Sequence, residues 1–244
     1  MNLITRSPSQ RGMTSRSRFG CALALALALA GESAAAPDTA EKPATTSPEC
    51  RDRAAAAVQS RYNGVRDVSA RFEQTTHAAH VGTQPVKPVA SRGRVLLAKP
   101  GKMRWTYEEP EPSLVVSDGK MVWIFDPAFG EVQKLPAAEG FLTGAAAQFL
   151  LGAGDMRRDF TVSAVSCAKS ATQLELIPRE PASYEKIFLD VDPANGDVRG
   201  TRIVDLLGNE VVVEFRDQRF NTSPADSEFR FEAPAGVKVI EISP

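Results

Sequence analysis

The stretch from Arg94 to Asp126 constrains the fold more than any other part of the chain. Two turn signals, Pro100-Gly101 and Asp118-Gly119, divide it into short runs of apolar residues. Asp-Gly between two such runs predicts a hairpin, because glycine adopts the positive φ angle that a tight turn requires. Within the runs, large apolar side chains alternate with other residues, as in an antiparallel sheet with one buried face. The stretch therefore predicts three or four strands in succession.

Two of these strands carry aromatic or methionine side chains at every second position. They are Met103, Trp105 and Tyr107 in one strand, and Met121, Trp123 and Phe125 in the next. An earlier predicted strand, Asp67 to Thr76, contributes Phe72. We expect Phe72, Met103, Trp105, Met121, Trp123 and Phe125 to form one apolar surface, although Val122 and Ile124 make the opposite face of their strand apolar too. From the residues alone, this surface is either a solid core or the lining of a cavity.

The remaining segments extend the pattern into a mainly β fold. Short apolar strands recur to the C terminus between turns rich in glycine, asparagine and aspartate, about eleven strands in all. Two segments have helical spacing instead, Cys50 to Tyr62 and Ala137 to Leu151. Successive hairpins predict a strongly bent antiparallel sheet or a partial barrel. The two helices can bury their apolar faces only against its concave side.

The N terminus has the pattern of a secretory signal peptide. Arg11, Arg16 and Arg18 precede a run of alternating Leu and Ala, and small residues follow up to Ala36. The run is too short to span a bilayer as a stable helix; a membrane anchor is the alternative, and the start codon is Met1 or Met13. We therefore divide the chain into a cleaved signal peptide (1–36), a disordered linker (37–49) and a single domain (50–244).

Cys50 and Cys167 are the two cysteines that survive the predicted cleavage. An even number of cysteines in an oxidising compartment favours a disulfide between them. Two buried, unpaired thiols are the alternative.

The sequence contains no motif that indicates catalysis. G-x-S-x-G, H-E-x-x-H and P-loop patterns are absent. The two histidines have no cysteine or carboxylate nearby in sequence to complete a metal site, and a net charge of -1 does not indicate nucleic-acid binding. We expect no enzyme activity, metal, cofactor or nucleic-acid partner.

Three sequence blocks resemble the LolA family of periplasmic lipoprotein carriers. They are K-P-G-K-M-R-W-x-Y-x-x-P, L-V-V-S-D-G-K-x-V-W-I-F-D-P and, near the C terminus, F-x-F-x-x-P-x-G-V-x-V. The resemblance extends over about Val58 to Ile240. It implies an unclosed barrel with helices as a lid over an apolar cavity, and it favours a cavity over a solid core. Methionines and aromatics suit a cavity that must repack around flexible acyl chains.

The resemblance also implies a function and partners. A monomeric periplasmic carrier would take acylated lipoproteins from an inner-membrane ABC-type lipoprotein-releasing complex and deliver them to the outer membrane, where a receptor would accept them. The lid residues would be Phe141, Leu142, Phe149 and Leu150. The alternative function is a periplasmic sensor or protein-interaction module with a packed core.

LolA relatives commonly carry an arginine before the proline of the first block, where it holds the lid shut. Here that residue is Lys99. Arginine offers a planar fork of five donors, whereas lysine offers three donors on a flexible chain. Lys99 is therefore expected to be a weaker latch. The alternative is a lysine in solvent at the end of a strand, with the latch provided by Arg94 or Arg104.

Overall fold

The structure is a computed structural model that describes residues 47–79, 87–137 and 155–242. Its elements are α1 (Pro48–Asn63), β1 (Asp67–His77), β2 (Val89–Ala98), β3 (Lys102–Glu109), β4 (Ser113–Asp118), β5 (Met121–Asp126), β6 (Glu131–Pro136), α2 (Met156–Asp159), β7 (Phe160–Cys167), β8 (Thr172–Pro178), β9 (Tyr184–Val191), β10 (Val198–Asp205), β11 (Glu210–Phe220), the 3-10 helix η1 (Asp226–Phe229) and β12 (Lys238–Glu241). The predicted signal peptide, most of the predicted linker and the four predicted lid residues lie outside the described residues.

The strands form one sheet in the order β12-β6-β5-β4-β3-β2-β1-β11-β10-β9-β8-β7. Each neighbouring pair is antiparallel except β12 and β6, which are parallel. Strands β12 and β7 are the edges, and they do not pair with each other in the described part of the chain. The mainly β, unclosed antiparallel fold is therefore confirmed, with twelve strands in the described residues where about eleven were predicted.

The predicted Asp-Gly turn connects β4 to β5. Gly119 has a φ of +93°, which is strained for residues with a side chain. The Asp118 carboxylate accepts hydrogen bonds from the backbone N–H groups of Lys120 (2.7 Å) and Met121 (2.8 Å). This turn fixes the register of the two strands that follow the first sequence block.

Helix α1 begins at Pro48, two residues before the predicted start, and the cause is its N-cap. The Ser47 side chain accepts a hydrogen bond from the N–H of Cys50 (3.1 Å), and proline is well suited to the first helical position. Its alanines allow close packing against the β9–β10 turn. A Cβ atom on Gly196 would lie 2.3 Å from the carbonyl oxygen of Ala57, so only glycine fits there.

One face of the sheet, which we call the inner face, packs around α1. Buried residues of α1, such as Val58, belong to the same core cluster as Phe72 and Trp105 in one half of the sheet. Leu174 and Leu189 in the other half of the sheet belong to that cluster too. A sheet can bring both of its halves against one helix only by curving around it. The inner face is therefore the concave side of the sheet, and α1 packs on it as predicted.

Candidate functional site

An aromatic cluster forms the inner face over β1, β3 and β11. Phe72 is 1% exposed and Trp105 is 6% exposed, with ring centroids 4.9 Å apart in an edge-to-face arrangement. The ring of Phe72 also lies 5.0 Å from that of Tyr107, and the ring of Phe215 lies 6.4 Å from that of Trp105. Such ring pairs are favourable beyond the apolar area that they bury. Among the described residues, four aromatic rings meet in this cluster.

Gly93 allows these rings to approach each other. It lies on β2 directly between Phe72 on β1 and Tyr107 on β3. A Cβ atom at this position would lie 2.0 Å from the carbonyl oxygen of Thr106. Only glycine fits here, because the backbones of β2 and β3 approach too closely for a side chain between the two aromatic rings.

Three of the six residues predicted for the apolar surface lie on the inner face. Phe72, Met103 and Trp105 are buried there. Their burial fits a core as well as the wall of a cavity, because both remove apolar side chains from water.

The other three, Met121, Trp123 and Phe125, lie on the opposite face, so that prediction is wrong for them. Trp105 is paired with Val115 on β4, and Val115 is paired with Ile124 on β5. Directly opposed residues of antiparallel strands project to the same face. Ile124 therefore shares the inner face with Trp105, and the alternate residues of β5 project outward.

The C-terminal segment explains why β5 is apolar on both faces. Phe229 of η1 is 2% exposed, η1 packs on β3 and β4, and the ring of Phe231 lies 5.8 Å from that of Phe125. Lys102 and Asp226 form an ion pair of 2.7 Å at the edge of this contact. A strand covered on both faces loses the simple alternation of apolar and polar residues. The apolar pair Val122 and Ile124 was the sequence signal that both faces of β5 are covered.

Lys99 lies at the end of β2 and reaches helix α1. Its Nζ donates a hydrogen bond to the backbone oxygen of Tyr62 at 2.5 Å. The last carbonyl groups of a helix lack intrahelical partners and carry partial negative charge, so a cation is favourable there. Burial lowers the pKa of the Lys99 ammonium group. The side chain is therefore bonded to α1, and the alternative of a lysine free in solvent is wrong.

The two arginines considered as alternative latches lie on the outer face. Arg94 Nε pairs with Glu108 at 2.6 Å, and Arg104 donates a hydrogen bond of 3.1 Å to the backbone oxygen of Glu228. Neither side chain bonds to a helix of the inner face in these contacts. Lys99 is the candidate latch residue that does.

Helix α1 is fixed to the sheet near both of its ends. Near its start, a disulfide joins Cys50 to Cys167 across 117 residues, with Cα atoms 6.4 Å apart, which is the pairing predicted from the sequence. Near its end, Arg61 pairs with Asp197 at 2.6 Å and lies 4.1 Å above the ring of Phe220. Helix α1 is thus a fixed wall of the site.

A structural cluster holds the chain immediately after α1. The carboxylate of Asp67, which is 4% exposed, accepts hydrogen bonds from the N–H of Thr222 (2.7 Å), the Thr222 hydroxyl (2.9 Å) and the N–H of Ser223 (3.1 Å). Asn221 accepts from the N–H of Arg66 at 2.7 Å. Sequence reasoning did not identify this cluster, because its members are more than 150 residues apart in the chain.

Among the described residues, no three histidine, cysteine or acidic side chains are arranged as metal ligands. Over the same part of the chain, each helix is too short or too polar to pass through a bilayer.

Sequence comparisons with known proteins agree on one family. The family model described as "Outer membrane lipoprotein carrier protein LolA" matches residues 63–232. An outer-membrane lipoprotein carrier protein of Dechloromonas aromatica is 30% identical over 176 residues, covering 72% of this chain and 81% of that protein. The corresponding protein of Bordetella pertussis is 32% identical over 180 residues, covering 73% and 81%. The LolA superfamily protein NE2245 of Nitrosomonas europaea is similar in structure, with a TM-score of 0.42, 14% identity, and coverage of 77% of this chain and 99% of that one.

Proposed function

We propose that this chain, which belongs to the LolA family of outer-membrane lipoprotein carrier proteins, carries lipoproteins by enclosing their acyl chains against its inner face. The observation that carries the proposal is the aromatic cluster of Phe72, Trp105, Tyr107 and Phe215 on the concave side of an unclosed sheet. Acyl chains need apolar contact and no directed chemistry. Each buried methylene contributes roughly 0.8 kcal/mol, so a lipid with several chains can bind tightly.

Lys99 would control release of the cargo. Its bond to Tyr62 joins the end of β2 to the end of α1. Because α1 is fixed to the sheet, an acyl chain entering beside it would displace the flexible Lys99 side chain from Tyr62, so we place the bond in the cargo-free state only. Re-forming the bond between Lys99 and Tyr62 would stabilise the cargo-free protein and so favour delivery of the cargo.

The segment that contains Phe141, Leu142, Phe149 and Leu150 would form the lid. Its helical spacing and the apolar inner face support this role. Phe149→Glu should then weaken cargo retention more than it weakens folding. A steep fall in melting temperature with unchanged cargo binding per folded molecule would mean that these residues are ordinary core.

Export and partners complete the proposal. An inner-membrane ABC-type complex would load the carrier and an outer-membrane receptor would unload it, because the carrier itself has no motif for ATP hydrolysis. The Leu-Ala run supports cleavage of a signal peptide before the protein acts in the periplasm. Sequencing the secreted protein should find an N terminus between Ala34 and Pro37. An uncleaved chain retained in the cytoplasm would refute export.

Binding of a triacylated peptide tests the carrier function. Native mass spectrometry should detect a complex with the triacylated N-terminal peptide of a lipoprotein and none with the same peptide after its acyl chains are removed. Phe215→Ser and Phe125→Ser form a matched pair, since both phenylalanines are half-buried but lie on opposite faces. The first should weaken the complex and the second should not. Equal binding of both peptides would contradict the proposal.

A further inference from the structure

The indole nitrogen of Trp105 is a buried donor without an acceptor. The Trp105 side chain is almost fully buried, and its Nε1 is the one buried side-chain nitrogen or oxygen of the described residues that lacks a hydrogen-bond partner. Indole offers one N–H donor and no acceptor. Buried polar groups in proteins are nearly always paired, and an unpaired one destabilises the fold. The missing acceptor of Trp105 Nε1 therefore needs a physical cause.

The surroundings of Trp105 restrict what the acceptor can be. Its ring neighbours are Phe72, Tyr107 and Phe215, and none of them carries a charge. The Tyr107 hydroxyl already donates a hydrogen bond to Gln74 Oε1 at 3.1 Å. Transferring an ionised carboxylate or phosphate into such an apolar environment is very unfavourable. The acceptor that fits is therefore a neutral oxygen carried by a largely apolar ligand.

Phenylalanine would fill much of the same space without an unpaired donor. The cluster shows that phenylalanine packs well here, because Phe72 on β1 and Phe215 on β11 do so. The N–H group therefore adds nothing to the packing of the free protein. It can contribute when a ligand supplies the missing acceptor.

We propose that the Trp105 indole N–H donates a hydrogen bond to the ester carbonyl oxygen of an acyl chain bound on the inner face. This inference rests on the proposed carrier function and deepens it, since it makes Trp105 the residue that distinguishes an esterified acyl chain from plain hydrocarbon. The N–H also fixes the depth to which the ester end of the chain enters the site. Trp123 on the outer face has no such role.

Two ligands of equal size separate this hydrogen bond from apolar contact. The methyl ester of a medium-chain fatty acid and the n-alkane with the same number of non-hydrogen atoms are titrated against wild type and Trp105→Phe. Loss of one buried hydrogen bond should weaken ester binding about tenfold more than alkane binding, whose own change measures the loss of packing. The alkane controls for the smaller ring, because changes in packing affect both ligands alike.

The resonance of the indole N–H gives a second readout in the wild-type protein, independent of how the variant folds. The ester should move the Nε1 proton resonance of Trp105 downfield, the alkane should not, and the Trp123 resonance should move with neither. If both ligands bind, lose affinity equally in Trp105→Phe and leave the resonance in place, the inference is wrong and the acyl site stands. If wild type binds neither ligand, the proposed carrier function fails and the inference fails with it.

Discussion

Replacing Lys99 with leucine should slow the release of cargo. The bond from Lys99 Nζ to the backbone oxygen of Tyr62 links the sheet to the end of α1. Leucine has similar apolar bulk but no donor, so the cargo-free state loses this bond. The loaded state loses nothing, because we place the bond only in the cargo-free state. The variant should therefore shift the balance toward the loaded protein.

The size of the effect follows from the environment of the bond. A hydrogen bond from a charged donor contributes about 1.5–3 kcal/mol. Lys99 is only partly buried, and the desolvation that lowers its pKa offsets part of this gain. We therefore expect a net contribution of about 1 kcal/mol after solvent screening. This corresponds to about fivefold tighter retention of cargo and a fall in melting temperature of about 2–4 °C.

The assay compares three proteins in one exchange experiment. Each is loaded with a fluorescent acylated peptide, and dissociation is followed after adding excess unlabelled peptide. Lys99→Leu should release the peptide about fivefold more slowly than wild type, and Lys99→Arg, which restores a cationic donor, should release it at least as fast. If Lys99→Leu releases the peptide at the same rate as wild type and melts at the same temperature, Lys99 is not a latch.

Three further predictions concern helix α1 and the outer face of the sheet. Replacing Cys50 and Cys167 with serine should destabilise the protein by up to about 4–5 kcal/mol in the chain-entropy model, and an unchanged denaturation midpoint would argue against a stabilising disulfide. Burial raises the pKa of the Tyr62 hydroxyl from 10.0 to about 12. The neutral hydroxyl should therefore contribute its full stability to the fold below pH 10, and this contribution should be lost as the pH rises towards 12. Tyr62→Phe should reduce that loss of stability, measured by denaturant unfolding. Phe229→Ala should lower stability by about 3–5 kcal/mol yet leave acyl binding per folded molecule unchanged, because Phe229 covers the outer face; reduced binding would show that the two faces are coupled.

Local sequence signals predicted most of the sheet because its turns are local. The Asp-Gly turn at Gly119 and the helix N-terminus near Cys50 follow from residues within a few positions. The parallel pairing of β12 with β6 could not be predicted in the same way. It joins Lys238 to Glu131, more than 100 residues apart, and no turn specifies it.

The candidate site was predictable only in part, for a physical reason. Alternation places Met103 and Trp105 on one face of β3, but it does not show which residues of β5 lie on the same face of the sheet. Strand β5 is apolar on both faces because Phe231 lies against Phe125 on its outer side. The pairing of Val115 with Ile124, and not the composition of β5, decides that Trp123 faces outward. The unpaired donor of Trp105 is likewise visible only once the neighbours are in place.

The two tryptophans allow a direct test of the central claim that acyl chains bind on the inner face. Trp105 lies on that face and Trp123 on the opposite one, so Trp123→Phe and Trp105→Phe each leave a single reporter. A lipid with brominated acyl chains quenches tryptophan fluorescence on contact and is titrated against both variants until binding saturates, because Trp105→Phe is itself expected to bind an acyl ester more weakly. We predict strong, saturable quenching of Trp105 and little quenching of Trp123. Equal quenching of the two, or stronger quenching of Trp123, would contradict an acyl site on the inner face.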